Sequence, residues 1–214
     1  MNITREQLLL YAVTDRSWLK GETLYEQVEK ALKGGVTLVQ LREKELSEPE
    51  FEAEGRSLLE LCHRYRVPLI INDNVELAER IGADGVHVGQ SDMELTRARE
   101  ILGTDKIIGV TAKTIEQAQA AEKAGAGYFG VGAVFGTSTK KNARNLSLEK
   151  LQEISSSVSI PVVAIGGINA SNLMELAGSG VDGVAVVSAI FAAKDPGQAT
   201  RELKVLAQKM VEHE

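Results

Sequence analysis

This sequence has one cysteine, few histidines and no apolar run of membrane length, and each shortage removes a class of function. A lone Cys62 excludes an internal disulfide and a cysteine-built zinc cluster, and leaves a small core-filling side chain as its expected role. Of the three histidines, His63 falls on a predicted helix and His213 in the tail, so His87 has no second histidine for a triad or a metal cluster. The longest apolar runs, such as IPVVAI at 160–165, are strand length and fall short of the roughly 20 residues that span a bilayer. Positive charge is also in deficit, with 24 Lys and Arg against 30 Asp and Glu. The net charge of −6 disfavours nucleic acid and anionic membranes as partners. The opening MNITREQLLLYAVTDR sets charges on both sides of a short apolar run and reads as neither signal nor transit peptide, so a cytoplasmic protein is expected.

What is present is an ordinary globular composition, 43% hydrophobic and 25% charged over 214 residues. No low-complexity tract or linker divides residues 1–214, so a single domain is expected. Short β-branched runs alternate with longer amphipathic stretches from end to end. Strands are expected at 8–14, 36–42, 67–72, 85–88, 106–111, 128–132, 160–166 and 183–188. Helices are expected near 22–33, 48–65, 74–81, 93–102, 114–124, 147–156, 170–178 and 196–212. Glycines in KGGVTLVQ, RIGADGVHV, KAGAGYFGV and AGSGVDGVAV stop helices just before the next strand. Such strands must be parallel and covered, and eight βα units close most simply into a (β/α)8 TIM barrel of the α/β class. The alternative is an open doubly wound sheet, but that fold usually carries a Gly-rich turn after its first strand, where VTDRSW stands here.

In such a barrel the chemistry lies at the carboxyl ends of the strands, and the residues there are strongly polar. Period two puts Gln40, Arg42 and Lys44 of QLREK on one side, an amide and two cations suited to a diphosphate; the bland alternative is pairing with Glu43 and Glu45. Asp73 and Asp92, from neighbouring units, are two hard oxygen donors for Mg2+, or else caps of the helices that follow them. His87 is expected in packing or hydrogen bonding within the barrel, and Tyr11 and Trp18 in packing rather than against a ligand ring. The long connection from Gly132 to Leu146 carries GTSTKK, whose hydroxyls, backbone N–H groups and lysine suit a phosphate without being a Walker A motif. Gly166-Gly167 and Val187-Ser188 end strands seven and eight, where these barrels commonly hold phosphate through backbone N–H groups.

Taken in order, QLREK, NDN, HVGQSD, TSTKK, IGGI and VVSAI resemble the thiamine-phosphate synthase family over almost the whole chain. IGGI and ADGVHVGQ are shared with related phosphate-binding barrels, whereas Lys44, Asn72-Asp73 and Asp92 together are diagnostic. The resemblance implies transfer of an aminopyrimidinylmethyl group from its diphosphate to a thiazole phosphate, carboxylated or not, with release of pyrophosphate. It implies that Gln40, Leu41, Arg42, Glu43, Lys44, Asn72, Thr111 and Lys140 line the site of the pyrimidine diphosphate. Thr137, Ser138, Thr139, Gly167, Val187 and Ser188 would hold the thiazole phosphate, Asp73 and Asp92 would hold Mg2+, and Arg42, Lys44 and Lys140 would act in catalysis. Two features depart from the family: Thr111 stands where serine is commoner, and AVFGTSTKKN lacks the usual proline and the acid after the lysines. A thiazole tautomerase on the same fold and a non-catalytic phosphate-ligand sensor are the rival readings. The oligomeric state stays open, a homo-oligomer included.

Overall fold

The computed structural model describes residues 3–89, 92–136 and 146–212. Among these, eight parallel strands close into a barrel in chain order: β1 (Leu10–Val13), β2 (Leu38–Leu41), β3 (Leu69–Asn72), β4 (Gly85–Val88), β5 (Ile107–Ala112), β6 (Tyr128–Gly132), β7 (Val162–Ile165) and β8 (Gly183–Val186). Pairing of Tyr11 with Ala185 closes β1 on β8, which removes the open doubly wound sheet as an alternative. The helices are α1 (Arg5–Leu8), α2 (Leu24–Gly34), α3 (Glu48–Arg64), α4 (Val75–Ile81), α5 (Leu95–Leu102), α6 (Ile115–Lys123), α7 (Leu148–Ser156), α8 (Ser188–Phe191) and α9 (Pro196–Glu212). None is long and apolar enough to cross a membrane among the described residues.

Local chemistry explains the boundaries. Thr23 and Glu26 form a reciprocal capping box on α2, and Gly35 ends that helix in the left-handed region at φ +99°. Asn74 caps α4, Thr114 caps α6 and Ser147 caps α7 through side-chain oxygens that accept backbone N–H groups.

Three expectations are corrected. The first strand starts at Leu10, because Thr4 and Gln7 cap the short helix α1, which takes up Leu8. The eighth ends at Val186, and Ser188 opens α8. The helix expected at 170–178 is only a 3-10 turn over Leu173–Leu176. There Asn169 and Asn172 use their side chains on nearby backbone N–H groups, and Gly178 and Gly180 adopt positive φ, so too little chain remains for an α-helix.

Alternation along the strands divides the core in two. Tyr11, Val13, Leu38, Ile70, Ile107, Tyr128, Val163 and Ala185 fill the inside of the barrel. Leu10, Ala12, Val39, Leu41, Leu69, Ile71, Val86, Ile108 and Phe129 point outward and pack in the layer under the helices. Cys62 is buried in that outer layer, where burial first and the Asp84 charge second push its thiol up to about 12, so it is an inert core filler as expected.

Candidate active site

The strand that carries QLREK is anchored by its neighbour. Thr14, fully buried just past β1, donates its backbone N–H to the Gln40 carbonyl at 3.0 Å and accepts the Arg42 N–H on its hydroxyl at 3.0 Å. Gln40 is on an inward position and is buried, but β2 ends at Leu41, so the period-two expectation holds only for the start of QLREK. The Leu41 side chain packs outward in the helix layer, which leaves only its backbone for a site at the rim. Beyond the strand, Asp15, Arg16, Ser17, Arg42, Glu43, Lys44 and Glu45 line a cavity of ≈ 360 Å³.

Among the described residues, neither Arg42 nor Lys44 is in an ion pair with Glu43 or Glu45. Glu43, only 3% exposed in its side chain, is bound at 2.8 Å by Arg16, which also grips Glu54. Burial raises the Glu43 carboxyl above the usual carboxylate range, while the Arg16 charge and hydrogen bond pull it back and Glu45 and Asp15 raise it further. Arg16 thus offsets the anion that lies between Arg42 and Lys44 in the chain. Arg16→Ala is expected to destabilise the fold at pH 7 by about 2 kcal/mol, less than for a fully buried pair because Arg16 is partly exposed. Because the folded pKa of Glu43 lies above its unfolded value, the ionised acid costs stability at neutral pH. Without Arg16 that cost is larger, and protonation of Glu43 as pH falls removes it, so the deficit of the variant should shrink between pH 7 and pH 4; urea melts at both pH values check the sign.

Lys44 and the two aspartates meet on the β3–β4 side of the rim. Asp73 adopts φ +61°, a left-handed conformation that aspartate tolerates better than most residues, and its N–H donates to the His87 carbonyl at 2.9 Å. Its carboxylate takes the Lys44 ammonium at 2.7 Å. Burial pushes this carboxyl up, but the Lys44 hydrogen bond and charge outweigh it, with help from the neighbouring Asp92 and Asn72 side chains, and the net result lies below the ordinary value. Asp92 reaches this point from a turn in which its carboxylate accepts the Gly89 N–H at 2.6 Å. Neither aspartate is a helix cap: Asn74 caps α4 and Glu94 occupies that place before α5.

Two carboxyl groups drawn together beside a cation are a donor set that suits a hard divalent ion. Among the described residues no three His, Cys, Asp or Glu side chains form a group that could hold a metal ion. A pair of carboxylates is nevertheless enough for Mg2+, which usually keeps several waters and takes further oxygens from substrate phosphates.

Across the rim, Gly166 and Gly167 have φ +105° and +68°. A Cβ on Gly166 would fall 2.5 Å from the Ala133 side chain, and one on Gly167 would fall 2.4 Å from the Gly136 carbonyl oxygen. Only glycine permits both the turn and the approach of the segment after β6, which Phe135 ties down by donating to the Gly166 carbonyl at 3.0 Å. Val187 and Ser188 lie at the start of α8 on the adjoining strand end. Thr137, Ser138, Thr139 and Lys140 lie outside the described residues.

Inside the barrel the remaining polar residues are hydrogen bonded, as expected. His87 sits between the Tyr128 and Thr111 hydroxyls, at 3.0 Å from each. Tyr11 is buried and bonded to Tyr128, and Trp18 packs partly buried against the outer core. Sequence reasoning missed Thr14, Arg16 and Tyr128. Only the inward parity of Tyr128 on a strand could have pointed to it; Thr14 and Arg16 act through contacts between units that no local pattern carries.

A closed parallel barrel with arginine, lysine and paired aspartates gathered at the carboxyl ends of its strands defines a (β/α)8-barrel enzyme whose rim is equipped for anions and a hard cation. A sequence profile described as thiamine monophosphate synthase matches residues 10–190. The thiamine-phosphate synthase of Clostridium acetobutylicum is 55% identical over 185 residues, covering 86% of this chain and 88% of its own. That of Ruminiclostridium cellulolyticum is 50% identical over 203 residues, covering 95% and 93%. The structure of a thiamine phosphate pyrophosphorylase from Pyrococcus furiosus matches with a TM-score of 0.89 at 41% identity, covering 97% of this chain and 98% of its own. KGPDC from Streptococcus mutans, at 17% identity and a TM-score of 0.72, shares the fold alone. The chain belongs to the thiamine monophosphate synthase family of transferases.

Proposed function

We propose that this chain, as one catalytic domain acting on small molecules in the cytoplasm, forms thiamine phosphate. The (4-amino-2-methylpyrimidin-5-yl)methyl group leaves its diphosphate and is taken up by the ring nitrogen of a thiazole phosphate, or of a carboxythiazole phosphate whose carboxyl group also leaves as carbon dioxide. The carbon–oxygen bond breaks with its electron pair going to pyrophosphate, and the nitrogen lone pair makes the new carbon–nitrogen bond. The observation that carries the reading is the meeting of Lys44, Asp73 and Asp92 beside the cavity that Arg42 lines.

In this reading Arg42 and Lys44, with Lys140, bind the diphosphate and offset the charge that grows on it as it departs, which lowers the barrier more than it stabilises the bound ester. Asp73 and Asp92 would hold Mg2+, which supplies further charge neutralisation of pyrophosphate when bound. Gln40, Asn72 and Thr111 orient the pyrimidine, while Thr137, Ser138, Thr139, Gly167, Val187 and Ser188 hold the thiazole phosphate. The electron-rich aminopyrimidine carries the cationic charge left on carbon, so no protein nucleophile is needed. Holding both partners in adjacent sites supplies orientation, worth roughly 7–11 kcal/mol at best.

Purified protein given both substrates and Mg2+ is expected to release pyrophosphate and thiamine phosphate in equal amounts. Isomerisation of the thiazole alone would instead indicate the tautomerase, and binding without turnover a sensor.

A further inference from the structure

Five polar side chains from five strands form one hydrogen-bonded line inside the barrel. The Gln40 amide nitrogen on β2 donates to the Tyr11 hydroxyl on β1 at 2.5 Å, and the Tyr11 and Tyr128 hydroxyls meet at 2.8 Å. From Tyr128 on β6 the line passes at 3.0 Å to His87 Nδ1 on β4, and from His87 Nε2 at 3.0 Å to the Thr111 hydroxyl on β5. We propose that Tyr128 is a positioning residue of the transferase site: it sets the direction of this line, fixing the His87 proton on Nε2 and leaving the Thr111 hydroxyl proton for a partner other than His87. This rests on the reading that Gln40 and Thr111 contact the aminopyrimidine diphosphate.

Proton counting gives the direction. Burial raises the ionisation of both phenols well above the usual range, so each keeps its proton. Two phenolic protons serve two contacts, Tyr11 to Tyr128 and Tyr128 to His87. Since Tyr11 accepts from the Gln40 amide, its own proton goes to the Tyr128 oxygen, and the Tyr128 proton goes to Nδ1. Relative strengths agree, because imidazole nitrogen is a better acceptor than a phenol oxygen and a phenol is a better donor than an imidazole N–H. A neutral imidazole that accepts on Nδ1 has its single proton on Nε2, which it gives to the Thr111 oxygen. The Thr111 hydroxyl has one proton, and it is directed elsewhere.

The barrel is cleared for this line at two further strand positions. A Cβ on Gly109 would lie 2.1 Å from the Tyr128 ring, and one on Gly130 would lie 3.1 Å from the His87 ring. An interior built only for apolar packing has no use for two glycines that admit a phenol and an imidazole. Buried polar groups of this kind are costly unless each is paired, so their pairing along one line makes its polarity a single property shared by β2 and β5.

The test is nitrogen-15 NMR of the histidines in ligand-free protein, together with steady-state kinetics. Wild type is expected to show His87 as the Nε2–H tautomer. Tyr128→Phe keeps the ring and removes the donor, so the tautomer signature should shift toward a mixture. In that variant the KM for the aminopyrimidine diphosphate should rise about tenfold, the scale of one misdirected hydrogen bond, with the KM for the thiazole phosphate held within about twofold. Tyr11→Phe leaves the Tyr128–His87 bond in place and should keep the wild-type tautomer. An Nδ1–H tautomer in wild type, or a Tyr128→Phe protein with unchanged tautomer and both KM values unchanged, overturns the proposal. Wild-type protein that forms no thiamine phosphate overturns the functional reading and the substrate half of this proposal with it; the tautomer, read without substrate, decides the other half.

Discussion

Asp73→Asn is expected to lower kcat by on the order of 100- to 1,000-fold, the scale set by removing one group that stabilises transition-state charge, while thiazole-phosphate affinity changes little. The carboxylate of Asp73 is held ionised by Lys44 against the effect of burial and lies against Asp92. Asparagine has the same shape but no charge for Mg2+, so the loss should fall on the leaving of pyrophosphate. The substitution is also gentle to the backbone, since asparagine shares with aspartate the tolerance for φ +61° found here. Its ion pair with Lys44 is between partly exposed groups and adds little to stability, so the melting temperature should hold within a few degrees. Single-turnover assays across a Mg2+ titration, with calorimetry for thiazole phosphate, separate the two effects. Undiminished turnover with an unchanged Mg2+ requirement would defeat the assignment of Asp73 to the metal.

Gly109→Ala carries the second large effect, on stability. The added methyl would lie 2.1 Å from the Tyr128 Cζ atom and 2.4 Å from its hydroxyl oxygen. That ring has no exposed surface and is fixed by hydrogen bonds to Tyr11 and His87, so it has no free direction in which to yield. A loss of about 3 kcal/mol is expected, at the upper end for overpacking a filled core. Chemical denaturation measures it, and a loss below about 0.5 kcal/mol would mean that the ring has room to move. Gly82→Ala is the instructive contrast: nothing lies within 4 Å of its Cβ, but φ is +74°. It should cost only about 1–2 kcal/mol, from backbone strain alone.

Of the fold, what could be read in advance was what depends on near neighbours in the chain. β-Branched runs marked all eight strands to within two residues, and the helix starts expected near 22, 74 and 114 fall beside Thr23, Asn74 and Thr114, which the structure shows to be the caps. Where side chains compete with the backbone for the same hydrogen bonds, as Asn169 and Asn172 do, periodicity predicted a helix that local bonding cut to a single 3-10 turn. At the rim, residue types at the strand ends offered Arg42, Lys44, Asp73 and Asp92 as candidates. They left open whether each aspartate capped a helix and whether each cation paired with Glu43 or Glu45.

Those choices were decided in three dimensions, because each depends on which residue of another βα unit lies nearby. Arg16 takes Glu43 and Lys44 takes Asp73 across intervals of 27 and 29 residues. Tyr11 reaches Tyr128 across 117. By itself the sequence determined the number and order of the βα units and which strand ends are polar, since local preference and the parity of inward and outward positions are properties of short segments. Parallel pairing of neighbouring strands and closure of the barrel determined the rest: they brought charges and hydroxyls from separate segments within hydrogen-bonding distance, and electrostatic pairing depends on separation in space, not along the chain.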